Sequence, residues 1–180
     1  MPEIREAILV VDLQVGMFDG VAEPPLAEAE ALAERARAVI AWARRSGRPV
    51  AFVRHDGPDG DPLAPGQPGW PVAPAIGQAA GEPTFAKSVG NAFSNPELGD
   101  WLARQGVDGV VLLGAQTEFC IAATVTGALA AGLAVTVVCD AHGTRDDDTA
   151  TAGQIVAHHN AAFTAAGARL ATTAELTGTS

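Results

Sequence analysis

The sequence predicts an α/β protein: a three-layer α/β/α arrangement built on a six-stranded, mainly parallel, doubly wound sheet. Three observations carry this. Ala7–Leu13 is an apolar run interrupted only by Asp12, the mark of a central strand buried on both faces. Val110–Leu113 is a second such run, closed by Gly114 and followed by a helical pattern from Thr117. Between and beyond them strand and helix signals alternate along the chain, as right-handed crossovers between parallel strands require.

The elements follow in order. After Pro24 and Pro25, apolar residues at Leu26, Ala29, Leu32, Ala33, Ala36, Val39, Ile40 and Ala43 keep three- and four-residue spacing. This predicts an amphipathic helix stopped at Gly47. Pro49–Val53 reads as a second strand leading to Arg54 and His55. Residues 56–82 are rich in proline and glycine and read as a long irregular loop of lid or pocket type, with Trp70 inside it. Pro83–Lys87 is a third, short strand. Asn95-Pro96-Glu97 has the grammar of a helix start, and Gly106 ends that helix after Gln105. Asp108–Leu113 is the fourth strand, Thr117–Ala131 its helix, and Leu133–Val138 the fifth strand, ending at Cys139 and Asp140. Asp146, Asp147 and Asp148 are expected to open the next helix, where their charge complements the dipole, and it runs through His158 and His159. Arg169–Ala171 is a last edge strand, and the Thr/Gly/Ser tail is expected to fray. Residues 1–180 are read as a single domain.

Composition narrows the function classes. The 180 residues are 48% hydrophobic and 18% charged, with 21 acids against 11 bases and a net charge of -10. A phosphate backbone is repelled at long range by that charge, which argues against nucleic acid. No apolar run approaches the roughly 18 residues of a membrane span. Met1–Glu6 lacks the basic flank and apolar core of a signal peptide, so the expected location is cytoplasmic. The two cysteines, Cys120 and Cys139, lack the spacing of a zinc site, and Cys139 is read as core.

Ligands of open α/β sheets bind at the carboxyl ends of the strands. Those ends offer Asp12 and Gln14, then Arg54 and His55, then Lys87, then Cys120, then Asp140 and His142. Cys120 falls in the first turn of a helix, where unpaired N–H groups are expected to lower the thiol pKa. Taken singly, each has a plainer role: Asp12 as a turn cap, Lys87 as a surface lysine, Cys120 as inert core, Trp70 as an anchor of its loop. Phe18, His55 and Trp70 are candidates to line a substrate pocket, Gln14 stands beside them, and Arg54 is a candidate partner for a substrate carboxylate. His158 and His159 are assigned to the surface or to a subunit contact.

Val11-Asp12-Leu13-Gln14, Lys87 with Asn91-Ala92-Phe93, and Gly114-Ala115-Gln116-Thr117-Glu118-Phe119-Cys120-Ile121 occur in that order. The set resembles the isochorismatase-like cysteine hydrolases, which include nicotinamidases and N-carbamoylsarcosine amidohydrolase. The Gly-x-x-Thr-x-x-Cys segment is its most specific part. The resemblance implies a catalytic triad of Asp12, Lys87 and Cys120, an oxyanion hole of the Gln116 and Cys120 N–H groups, and a cis peptide at Ala115–Gln116. It implies hydrolysis of a C–N bond in a small amide or ureide through a Cys120 thioester, and self-association into a homo-oligomer. The sequence departs from nicotinamidases at Val53-Arg54-His55-Asp56, where their metal-binding Asp-x-His…His pattern is missing; no metal and no cofactor are therefore expected. Two other activities stay open: vinyl-ether cleavage of the isochorismatase type, and a silent small-molecule-binding or redox-sensing role for Cys120.

Overall fold

In the computed structural model, which describes residues 5–179, strands form at Glu6–Val11 (β1), Val50–His55 (β2), Thr84–Lys87 (β3), Gly109–Ala115 (β4), Ala134–Gly143 (β5) and Arg169–Ala171 (β6). Helices form at Ala29–Arg45 (α1), Pro96–Gln105 (α2), Ala122–Ala130 (α3), Ala152–Ala166 (α4) and Thr173–Thr177 (α5). Met1–Ile4, part of the stretch read for a leader signal, lies outside the described residues. All strand pairs are parallel, and the sheet order is β3-β2-β1-β4-β5-β6. The connections leave β1 toward β2 on one side and return to β4 on the other, so a crevice opens between the carboxyl ends of β1 and β4.

Alternation of side chains along β1 splits the core in two. Ile8 and Val10 join α1 residues such as Val39 and Ile40 on one face. Ala7, Leu9 and Val11 pack on the other face with Leu98 of α2, Val125 of α3 and Phe163 of α4. Leu176 of α5 joins the α1 side. β1 and β4 are buried on both faces, which is why they carry the unbroken apolar runs.

The structure differs from the sequence reading at four places. Asp146–Asp148 do not open α4. Thr151 caps it, in a reciprocal pair with Gln154, while Asp146 accepts from the Ala152 N–H and Asp147 closes a turn onto Thr149 and Ala150. The tail instead forms α5, capped by Thr172 with Glu175 three residues on. β5 runs on to Gly143 through an irregularity: Leu112 of β4 pairs with Val137, but Gly114 pairs with His142. Cys139 sits in that irregular stretch and is half-exposed, since the bulged segment turns it out of the core. The 56–82 loop is sewn down along its length. Val15, Gly16 and Ala73 N–H groups exchange backbone hydrogen bonds across it, and Arg44 grips Glu82 with two contacts of 2.8 Å.

Candidate active site

Asp12 is the first residue past β1 and adopts a left-handed backbone, φ +53°, which Asp tolerates better than most residues. The kink ends the strand and leaves the carboxylate wholly buried at the crevice. Lys87, the last residue of β3, reaches it from the sheet edge: Nζ lies 2.7 Å from Asp12 Oδ2, 3.1 Å from Cys120 Sγ and 3.3 Å from His55 Nδ1. An ammonium can only donate, so Nδ1 of His55 accepts and all three Lys87 protons are taken. The other carboxylate oxygen, Asp12 Oδ1, is buried and has no hydrogen-bond partner among the described residues.

The nucleophile candidate rides on a single π turn, Thr117–Ile121, that joins β4 to α3. The Ile121 N–H donates to the Gln116 carbonyl five residues back, 3.1 Å away. The Ala115–Gln116 peptide is cis. Gly114, with φ +132°, is where β4 passes closest to β1; a Cβ there would stand 2.0 Å from the Val11 carbonyl oxygen. Thr117 anchors the turn from below through a buried chain: its Oγ1 meets His142 Nδ1 at 2.9 Å, and His142 Nε2 meets Asn160 Oδ1 at 2.9 Å. The bulge of β5 is what brings His142 to that position, and burial lowers its pKa.

The thiol does not have the low pKa that a helix start suggested. Burial, and the Asp12 carboxylate beside it, push Cys120 up to about 12, with Lys87 opposing. Burial likewise raises Asp12, against the pull of Lys87. The resting thiol is therefore neutral, beside a carboxylate paired with Lys87, rather than a preformed thiolate. Asp12, His55 and Cys120 each offer a ligand atom within 4.8 Å of the others, but the Lys87 ammonium already sits among them. A cation at the centre of the cluster opposes a metal ion there.

These groups open onto a cavity of about 500 Å³ lined by Asp12, His55, Gln116 and Cys120, and also by Asp61 and Arg145. The remaining pocket candidates lie elsewhere. Phe18 packs on the α1 side of the core and borders a different cavity. Arg54 stacks 3.8 Å over the Trp70 ring and pairs with Asp56, to which Trp70 Nε1 also donates at 2.7 Å, so neither lines the cavity. Gln14 is buried and clamps the backbone, donating to the carbonyls of His55 and Trp70 and accepting from the His55 N–H. It fixes His55 from behind. Reading the sequence did not single out Asp61, Arg145 or Phe119 for this cavity. Phe119 alone had a local cue, its place directly before Cys120 in the chain.

The isochorismatase domain model matches residues 6–175. The chain belongs to the isochorismatase family. It is 34% identical over 141 residues to a streptothricin hydrolase of Streptomyces noursei, covering 78% of the chain and 50% of that protein. It is 35% identical over 107 residues to the maleamate amidohydrolase of Pseudomonas putida, covering 59% of the chain and 45% of that protein. The chain thus spans about half the length of these two relatives. Among solved structures, an Oleispira antarctica protein grouped with the isochorismatase hydrolases superposes with a TM-score of 0.90 at 31% identity, over 99% of this chain and 98% of that one. The N-carbamoylsarcosine amidase of Thermoplasma acidophilum superposes with a TM-score of 0.78 at 27% identity, over 94% and 97%.

Proposed function

We propose that this family member is a cysteine amidohydrolase, working without a metal, that cleaves a C–N bond of a small amide or ureide. The observation that carries the reading is the divided Asp12 carboxylate: Oδ2 is held by Lys87, Oδ1 is buried and unpartnered, and an oxygen of the carboxylate lies within 4.8 Å of the neutral Cys120 thiol. A buried carboxylate oxygen with no donor is costly, and beside a thiol it is a ready proton acceptor. Cys120 Sγ attacks the substrate carbonyl carbon as its proton passes to Asp12. The tetrahedral oxyanion is met by the Gln116 and Cys120 N–H groups. Asp12 returns the proton to the departing nitrogen, the C–N bond breaks, and a thioester remains. Water, deprotonated by the same carboxylate, releases the acid and restores the thiol. Lys87 keeps Asp12 ionised in a site that would otherwise neutralise it. The streptothricin, maleamate and carbamoylsarcosine hydrolases among its relatives support amide-type chemistry.

The test is ammonia or amine release across a panel of small amides and ureides, with intact-mass trapping of acylated Cys120. Cys120→Ala is expected to abolish release in a protein that stays folded. Asp12→Asn is expected to lower kcat by at least about a hundredfold, the scale of a lost general base. Full activity in Cys120→Ala refutes the reading.

A further inference from the structure

The charges that line the cavity are unevenly spent. Asp12 and Lys87 cancel each other. Arg145 would invite an anionic substrate, but its guanidinium is already engaged. Nη1 pairs with Glu23 at 2.7 Å, Nε donates to the Pro24 carbonyl, and Nη2 faces Met17 Sδ at 3.8 Å. Asp61 is the exception. Its Oδ1 accepts from the Leu63 N–H at 2.7 Å, and no described Arg, Lys or His pairs with the carboxylate. Asp61 is half-buried, lines the cavity with Cys120, and is packed against Gly57, where a Cβ would stand 2.7 Å from its carboxyl. The chain has left a side chain out at Gly57 and so keeps that carboxylate in place.

We infer that the substrate carries a cationic group, an ammonium or guanidinium, and that Asp61 is the residue that recognises it. This rests on the amidohydrolase reading for what happens at the other end of the substrate. A half-buried carboxylate with one oxygen fixed by a backbone N–H presents the second oxygen to a donor in a set direction. A net charge of -10 draws cations toward the crevice as well.

The charge preference is read without turnover by labelling the thiol. Methanethiosulfonates bearing an aminoethyl, a methyl or a sulfonatoethyl group are reacted with the folded protein, and the rate at Cys120 is followed by peptide mass. Each rate is divided by the same reagent's rate with 2-mercaptoethanol. The ammonium reagent is expected to exceed the sulfonate by about tenfold, the scale of one charge-assisted contact. Asp61→Asn should shrink that ratio severalfold, and Gly57→Ala, which displaces the carboxylate, should shrink it in the same direction. The overall charge acts on Gly57→Ala as on the parent, so a shrinking ratio there reports Asp61 itself. A sulfonate preference, or a ratio unchanged in both variants, overturns the inference. In the turnover arm, kcat/KM for an ammonium-bearing amide is compared with that for its uncharged counterpart, and the ratio is expected to fall in Asp61→Asn. If no amide of any charge is hydrolysed, the amidohydrolase reading falls, while the labelling order still decides the role of Asp61.

Discussion

At the residue scale the site depends on where one proton rests. Position alone argued for an acidic thiol, because Cys120 opens a helix; the structure reverses the sign. Desolvation and a neighbouring carboxylate outweigh a turn of N–H dipoles when the sulfur is largely buried. On the proposed mechanism the proton leaves as the carbon–sulfur bond forms, with Asp12 as acceptor. The folded chain holds this proton more tightly than the unfolded chain, whose ordinary value is 9.0, so stability is full below pH 9.0 and declines as pH rises toward about 12. In a Cys139→Ser background, thiolate absorbance should show no inflection near pH 9, and adding Asp12→Asn should move the midpoint down. The chain has no tyrosine to obscure the measurement. A parent midpoint near 9 contradicts the neutral-thiol mechanism. Asp12 and Lys87 were legible as candidates because each stands at the end of a strand, and Cys120 because it follows the apolar run closed by Gly114. Arg54 and Trp70 were misread because sequence marks a polar strand end without saying which way its side chain leaves: they pair with each other and with Asp56.

At the scale of elements, the segment from β4 through the π turn to α3 sets the geometry. Its start was readable from the apolar run and Gly114. The π turn was not, because Thr117–Ile121 has the same apolar spacing as an ordinary helix turn and differs only in which carbonyl Ile121 finds. The β5 irregularity was equally hidden: Cys139–Gly143 carries no strand signal, and it is held by parallel pairing with β4 rather than by propensity. Three consecutive aspartates carry the charge expected of a helix start, but the cap is Thr151, whose partner Gln154 completes a capping box. Gly114→Ala tests the segment. The new Cβ meets the Val11 carbonyl oxygen at 2.0 Å, and φ +132° is unsuited to any side chain. A loss of about 3 kcal/mol is expected, seen as a lower denaturation midpoint at unchanged slope. A change below about 0.5 kcal/mol would mean that β1 and β4 can part freely.

At the scale of the whole molecule, alternation of apolar runs and helical periods was enough to give the layers and the sheet. Strand order was constrained by crossover handedness, and the cavity stands at the resulting reversal between β1 and β4. What escaped was the 56–82 loop as a fitted part of the body. Its prolines and glycines signal irregular backbone but not the Gln14 clamp or the Arg44–Glu82 grip that hold it. The ammonium at the heart of the site has a practical consequence of another kind. Lys87 is the only lysine in the 180 residues; the other ten cations are arginines. Its side chain is fully buried, with every proton committed, so an acylating reagent reaches the amine only when the crevice opens or the chain unfolds. The protein thus contains its own lone reporter: the acetylation rate of Lys87, followed by peptide mass against free N-α-acetyl-lysine, measures the opening free energy of the site. That rate should be slower than the free standard by at least about a hundredfold, and a cationic amide held at Asp61 should slow it further.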